Sequence, residues 1–81
     1  MKFERKDYQR RIVDLENVIP ADEPVFLLRG QDIYAAKVIR VWASLVAQGD
    51  GDPRAVEAAI RIADDMDSWP VHKEPDLPEG S

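Results

Sequence analysis

The residues of this chain that are best suited to bind an anion lie in the stretch Arg29-Gly30-Gln31-Asp32, between an apolar run and the predicted start of a helix. Free backbone N–H groups and the helix dipole favour a negative charge at such a place. The Arg29 guanidinium adds a fixed positive charge with bidentate geometry for phosphate. Lys37, about a turn later, could reach the same region. The alternative is that Arg29 simply pairs with a nearby Asp or Glu.

A second candidate site surrounds Tyr8, which has Arg5 and Arg11 as neighbours in the sequence. Tyr8 falls on an apolar stripe, so packing in the core is one interpretation. An aromatic ring flanked by arginines can also stack on a nucleobase, and such stacking contributes about 1–3 kcal/mol per base. Both interpretations stay open from the residues alone.

The His and acidic residues of the sequence do not form a recognisable catalytic arrangement. The chain has no Cys, and its one His, His72, lies in a proline-rich segment where a general base is poorly held. Asp50-Gly51-Asp52 lacks the later ligands of a calcium loop and is interpreted as a turn and helix cap. The acidic cluster Asp64, Asp65 and Asp67 is interpreted as a solvated helix end. We therefore expect a protein that is not an enzyme and has no metal or cofactor.

Composition limits the partners. The 81 residues include 11 Lys+Arg and 16 Asp+Glu, a net charge of −5. This acidity argues against duplex nucleic acid, which is bound mainly through many cation–phosphate contacts. The sequence has neither an apolar run long enough to span a membrane nor a signal-peptide h-region near Met1, so a cytoplasmic location is expected. A chain this short without disulfides has little core, which predicts self-association.

The first predicted element is a helix from Phe3 to about Val18, ended by Pro20. Its apolar residues follow a helical period in one narrow stripe: Tyr8, Ile12, Leu15 and Ile19. The following apolar run, Val25-Phe26-Leu27-Leu28, is either a buried extended connector or a short edge strand that pairs with a partner chain. We favour these interpretations because no second strand is evident nearby.

Two further helices are predicted to form an antiparallel hairpin. The first runs from about Ile33 to Gln48, with Asp32 as N-cap and Gly49 as C′ residue. Its apolar stripe consists of Ala35, Val38, Ile39, Trp42, Leu45 and Val46. The second runs from Pro53 to about Ser68 and is capped by Asp52. The short linker between them makes an antiparallel arrangement the natural one.

These elements together predict an all-α fold: a short N-terminal helix, an extended connector and a helical hairpin, assembled as an oligomer. A single helical domain is expected over residues 1–70. Residues 71–81 contain two prolines, directly after Pro70, and few apolar side chains, which predicts a flexible, Pro-rich acidic tail.

The stretch from Glu23 to Asp32, followed by an Ala-rich helix with Val38, Ile39 and Trp42, resembles the small phage-encoded anti-CBASS sponges. The closing stretch from Ala63 to Pro70 is similar too, so the resemblance covers roughly residues 3–70. It implies a compact helical chain that assembles as a hexamer. It further implies that this hexamer sequesters the cyclic dinucleotides and cyclic trinucleotides made by bacterial cGAS-like immune enzymes, within the infected host cell.

The resemblance also implies roles for particular residues. Tyr8 and Arg29 match the aromatic and basic positions that sandwich the bases in the family. Gly30 and Gln31 match the small and polar pair near bound trinucleotides, and Arg61 is the candidate phosphate contact on the last helix. The chain departs from the pattern in having Arg29 where the family can have Lys, and Lys37 where an arginine is expected nearby.

The sequence leaves two other function classes to consider. The chain could be a small helical protein-interaction module whose first helix docks on a host or phage protein and inhibits it. A DNA-binding regulator would need a basic recognition helix. The second predicted helix has only Lys37 and Arg40, and the third has Arg54 and Arg61 against four acidic residues, so this class is disfavoured.

Overall fold

The computed structural model describes residues 1–78, in which helices are the main regular structure. The elements in chain order are β1 (Lys2–Phe3), α1 (Lys6–Arg11), β2 (Pro24–Val25), α2 (Ala35–Gln48) and α3 (Pro53–Ser68). None of the helices within residues 1–78 combines the length and the apolar character needed to cross a membrane.

The chain divides into two compact units. Unit 1 comprises Met1–Leu27 and the segment from Asp76 onward, and unit 2 comprises Leu28–Pro75. The single helical domain over residues 1–70 stays a prediction. Of the predicted tail, residues 79–81 lie outside the described part of the chain.

Unit 1 is built around a very short parallel sheet. Lys2 is in register with Pro24 and Phe3 with Val25. The Glu4 carboxylate extends this pairing, because its Oε1 accepts the Leu27 N–H at 3.0 Å. The connector predicted from the sequence therefore contains a strand that pairs within its own chain, so the all-α class is incomplete. A partner strand of two residues is too short to show any periodicity in the sequence.

The predicted first helix is much shorter than expected. The helix ends at Arg11, and Ile12 already has extended backbone angles, φ −110° and ψ 126°. The apolar residues Val13, Leu15 and Val18, beyond its end, are 67%, 93% and 71% exposed. A helix with one narrow apolar stripe needs a surface to dock on, and the described residues provide none for this segment. The prediction of a helix to Val18 is therefore wrong.

Unit 2 contains the helical hairpin formed by α2 and α3. Both helices end close to the predicted residues, and α2 begins two residues later than expected. The prediction of Asp52 as the cap of α3 is confirmed, since its carboxylate accepts the Arg54 N–H at 2.9 Å. The C-terminal end of α2 differs: Gly49 has φ −86°. The left-handed residue is Asp50, with φ 56°.

The core of the hairpin is made of alanines. The buried hydrophobic residues of α2 and α3 are Ala35, Ala36, Ala43, Ala59 and Ala63. The predicted stripe is wrong for Val38, Trp42 and Leu45, which are 49%, 51% and 61% exposed. Its other members, Ala35, Ile39 and Val46, are buried or half-buried. Small side chains let two helices approach closely, so the alanine face of α2 is the one that packs inward.

The linker between the helices also depends on close packing. A Cβ added to Gly51 would lie 2.5 Å from Val46 Cγ1 and 3.0 Å from the Val46 carbonyl oxygen. The Gly51 N–H donates to that same carbonyl at 2.8 Å. Glycine at this position therefore allows the chain to turn tightly against the last turn of α2.

Candidate functional site

The Arg29–Asp32 turn precedes α2, and few hydrogen bonds within the turn stabilise it. The Asp32 N–H donates to the Arg29 carbonyl at 2.9 Å. The Asp32 carboxylate accepts the Tyr34 N–H at 2.8 Å, and Asp32 lies two residues before the N-cap position of α2. The N-cap residue of α2 is Tyr34, without a side-chain capping bond. Asp32 thus stabilises the approach to the helix rather than its first turn.

Gly30 packs against the C-terminal end of α3. A Cβ built on Gly30 would lie 3.6 Å from Trp69 Cβ and 3.7 Å from Met66 Cα, which are ordinary contact distances. The helix end therefore supports one side of the turn. Trp69 itself remains 55% exposed, so this support does not enclose the turn.

A second support comes from residues 72–74, which we call the strap. The Lys73 N–H donates to the Gln31 carbonyl at 2.7 Å, and the Ile33 N–H donates to the Lys73 carbonyl at 3.1 Å. These two bonds form a parallel β-bridge between Asp32 and Lys73. The segment predicted to be a flexible tail therefore has defined partners at this point.

Side chains attach the strap at both ends. The Tyr34 hydroxyl donates to Glu74 Oε1 at 2.7 Å. This hydrogen bond is the main reason that the pKa of the Tyr34 hydroxyl is raised, with desolvation and the Glu74 charge adding to the effect. At the other end, His72 Nε2 lies 3.0 Å from the Met66 carbonyl, to which it donates. Sequence reasoning missed these residues as parts of the site because about 40 residues separate the strap from the turn.

Arg29 is exposed, and no hydrogen bond or ion pair joins its guanidinium to another residue within the described chain. The same holds for Lys37, which is exposed in the first turns of α2. The alternative that Arg29 is occupied by a neighbouring acid thus finds no such partner among residues 1–78. Gly30 and Gln31 are half-buried beside it.

Arg61 is not brought to the turn by any hydrogen bond or ion pair among the described residues. Its Nη2 lies 3.4 Å from Glu57 Oε1, one helical turn away on α3. Both side chains are largely exposed, so this pair is worth little, about 0.3–0.5 kcal/mol. Arg61 can exchange Glu57 for another anion at small cost.

Tyr8 belongs to unit 1, and its ring is surrounded by the protein itself. It is 3% exposed. The Phe3 ring meets it edge-on, with centroids 5.9 Å apart at 74°. The Arg5 and Arg11 guanidinium carbons lie 4.8 Å and 5.7 Å from the ring centroid. In this arrangement Tyr8 packs in the core of its unit, and guanidinium groups occupy positions that a stacked base would need.

Asp7 holds these arginines in place. Its carboxylate accepts Arg5 Nε and Arg5 Nη2, both at 2.9 Å, and Arg11 Nη1 at 3.1 Å. The hydrogen bonds from Arg5 are the largest cause that lowers the pKa of Asp7 to about 2, against the opposing effect of desolvation. Arg5 Nη1 also donates to the Asp76 carbonyl at 3.2 Å. We call Arg5, Asp7, Tyr8 and Arg11 the arginine–tyrosine cluster.

One face of α2 carries large apolar side chains that stay about half exposed. Val38, Val41, Trp42 and Leu45 are 49%, 56%, 51% and 61% exposed. Their spacing, three, four and seven residues from the first, places them on one side of the helix. We call these four residues the α2 apolar face.

Two acidic residues of α3, Asp64 and Asp67, form ion pairs with Arg40 of α2. Arg40 Nη2 lies 2.9 Å from Asp64 Oδ1 and 2.6 Å from Asp67 Oδ2. Hydrogen bonds to both carboxylates raise the pKa of Arg40. No cluster of three or more His, Cys, Asp or Glu that could hold a metal ion is found within residues 1–78.

Comparison with known proteins finds no matching family model, no similar curated protein and no similar solved structure. Function is therefore argued from the site, since a fold alone does not specify one. The features relevant to function are an arginine without a partner among residues 1–78, a turn supported by α3 and the strap, and a half-exposed apolar face on α2.

Proposed function

We propose that this chain sequesters cyclic dinucleotides and cyclic trinucleotides without converting them, in the cytoplasm of an infected bacterial cell. Its effect would be to inhibit CBASS defence by keeping the immune signal from its effector. The observation that carries the proposal is Arg29, an exposed guanidinium without a partner among the described residues. The resemblance of residues 23–32 to the anti-CBASS sponges supports the same conclusion.

The chemistry of the turn suits a cyclic phosphodiester. Arg29 offers charge-assisted, bidentate hydrogen bonds to phosphate oxygens. Gly30 has no side chain, and the space that one would take faces Met66 and Trp69, so the turn lies close against the end of α3. The Gln31 side-chain amide provides both a donor and an acceptor for the edge of a base. Lys37 and Arg61 are further cations for the phosphates in this proposal.

Tyr8 can stack on a base only when Arg5 or Arg11 moves away from its ring. A guanidinium and a nucleobase are both planar groups that stack on aromatic rings. A base can therefore replace Arg5 or Arg11 over Tyr8, and the displaced guanidinium becomes available for phosphate. Asp7 opposes this exchange, since its hydrogen bonds hold both arginines.

Assembly is part of the proposal because one acidic chain supplies few cations. A homo-oligomer, a hexamer if the resemblance holds, collects arginines and lysines from several chains around a small ligand. The α2 apolar face supports assembly, because contiguous exposed apolar groups mark interaction surfaces. When ligand sites lie between chains, binding and assembly reinforce each other by mass action.

Calorimetric titration with cyclic di-AMP, cyclic di-GMP and cyclic tri-AMP tests the proposal. The wild-type chain should bind at least one of them. Arg29→Gln should weaken that binding by roughly 10- to 100-fold, as expected for a hydrogen bond to a charged group. The matched control is Arg10→Gln, which removes an equally exposed arginine outside the proposed site. No heat with any of these ligands would overturn the proposal.

The second candidate is a protein-interaction module, favoured by the same α2 apolar face. In that case the face covers a different protein instead of another copy of the chain. Light scattering after size exclusion separates the two proposals. A multiple of the chain mass supports self-assembly, while a monomer that binds one stoichiometric protein and no nucleotide supports the interaction module.

A further inference from the structure

The backbone of the Arg29–Asp32 turn depends on a segment about 40 residues away. The Gln31 carbonyl and the Ile33 N–H flank Asp32, and both form hydrogen bonds with Lys73. The bonds within the turn and its approach to α2 involve other groups, namely the Asp32 N–H and carboxylate. The strap therefore fixes the central peptide groups that the local sequence leaves without partners.

We propose that the strap, residues 72–74, positions the Arg29–Gln31 turn for its ligand, acting through the main chain of Lys73. The inference rests on the proposed nucleotide-binding function and adds positioning residues to the same site. Lys73 acts through its N–H and carbonyl, while the Tyr34–Glu74 hydrogen bond keeps the strap in place.

The arrangement links three parts of unit 2 at one point. His72 donates to the Met66 carbonyl. Gly30 packs against Met66 and Trp69 at the same end of α3. The strap and the turn thus lie against a common support, the end of a helix, and are bonded to each other. A turn held from two sides samples fewer conformations, which reduces the entropy lost when a ligand binds.

Preorganisation of the turn predicts which rate constant of ligand binding changes when the strap is weakened. If the turn is in its binding-competent form for only a fraction of the time, the apparent dissociation constant rises in inverse proportion to that fraction. This change appears in the association rate, because the bound complex keeps its contacts and its dissociation rate. A residue that touches the ligand would instead change mainly the dissociation rate.

The test compares Lys73→Pro with Lys73→Gln. Both variants lose the lysine side chain, but only proline also removes the N–H that bonds to Gln31. Relative to Lys73→Gln, Lys73→Pro should bind the cyclic nucleotide roughly 2- to 10-fold more weakly, the effect of one main-chain hydrogen bond. Stopped-flow fluorescence should assign the loss to a slower association rate. Hydrogen exchange at the Ile33 amide should accelerate in Lys73→Pro, with α2 and α3 amides unchanged.

A second pair of variants tests the strap without proline. Tyr34→Phe and Glu74→Ala each remove the same hydrogen bond, so their effects on affinity should be alike and should not add in the double variant. Asp65→Asn is the matched control for the lost negative charge, since Asp65 is an exposed acid of α3. The control should leave both affinity and Ile33 exchange unchanged.

The outcomes separate this inference from the proposed function. If wild-type chain binds and Lys73→Pro accelerates Ile33 exchange without weakening binding, the strap does not position the turn and the inference is overturned. Unchanged Ile33 exchange in Lys73→Pro overturns it as well. If the wild-type chain binds no cyclic nucleotide, the proposed function fails, and the inference about a ligand falls with it.

Discussion

Different kinds of internal contact stabilise the two units of this chain. In unit 1 a buried tyrosine is surrounded by arginines that a carboxylate holds in place. In unit 2 two helices meet through alanines, among them Ala35 and Ala63 at 0% exposure. The first unit thus depends on charge and hydrogen bonding, and the second on shape.

This difference indicates how each unit tolerates change. A charged network is sensitive to pH and to the loss of one member, because the remaining charges lose their partners. A close helix contact is indifferent to pH but sensitive to added volume, since packed interiors leave no room for further methylene groups. Both units also leave large apolar side chains exposed, such as Leu15 and Trp42 at 93% and 51%.

Truncation of Tyr8 should have the largest effect. Tyr8→Ala should lower the stability of unit 1 by about 3 kcal/mol, because it removes a buried aromatic ring. Hydrogen exchange at the Ile12 amide, which donates to the Tyr8 carbonyl at 3.0 Å, reports on this unit. Phe26→Ala is the control, since Phe26 is 71% exposed in the same unit. Equal effects of the two variants would contradict a buried Tyr8.

Added volume in the hairpin should have the next largest effect. Ala63→Leu should destabilise unit 2 by about 1–3 kcal/mol through overpacking. Ala58→Leu, at an exposed position of α3, should change stability by less than about 0.5 kcal/mol. Urea denaturation followed by circular dichroism measures both. A tolerated leucine at position 63 would show that shape does not limit this interface.

Substitutions of the two linker glycines test how closely the linker packs against the end of α2. Gly51→Ala should cost about 1 kcal/mol, because its Cβ would meet Val46. Gly49→Ala should instead be neutral or stabilising by up to about 1 kcal/mol, since its φ of −86° suits alanine. Thermal unfolding of the two variants should move in opposite directions. A shift of both in the same direction would show that close contact at Val46 has no influence.

Acid should affect unit 1 through Asp7. Because the folded pKa of Asp7 is lowered to about 2 from an ordinary 3.8, its contribution is complete above the ordinary value and is lost as pH falls towards 2. Asp7→Asn should remove this component of the pH dependence and destabilise unit 1 at neutral pH. Ile12 exchange measured across the acid range checks both effects. Asp22→Asn, an exposed acid of the same unit, should leave the pH dependence unchanged.

The hairpin could be predicted because its boundaries are local signals. Asp52 and Pro53 mark the start of α3, and the residues that follow Gln48 end α2. The inward face of α2 could not be predicted by counting apolar residues, because hydrophobic periodicity does not record side-chain volume. The predicted stripe contained the buried Ala35 but also Val38, Trp42 and Leu45, which are about half exposed, and it missed the buried Ala36 and Ala43.

For the candidate site, sequence reasoning identified Arg29 and the turn after it. It did not find the strap, since a main-chain pairing between Asp32 and Lys73 leaves no mark on either residue type. It left open whether Tyr8 packs in the core or stacks on a nucleobase. The burial of Tyr8 in unit 1 shows the packing, and its stacking role stays a prediction.

The alanine core has a consequence for heat capacity. Unfolding raises the heat capacity in proportion to the apolar surface that becomes exposed, normally by about 12–15 cal/mol/K per residue. A chain whose large apolar side chains are already half exposed, as Val41 and Leu45 are, has less of this surface left to release. The free energy of unfolding of a separate chain should therefore curve only weakly with temperature. A partner that covers the α2 apolar face would increase the heat-capacity change of unfolding. Calorimetry therefore measures how much of that face a partner covers.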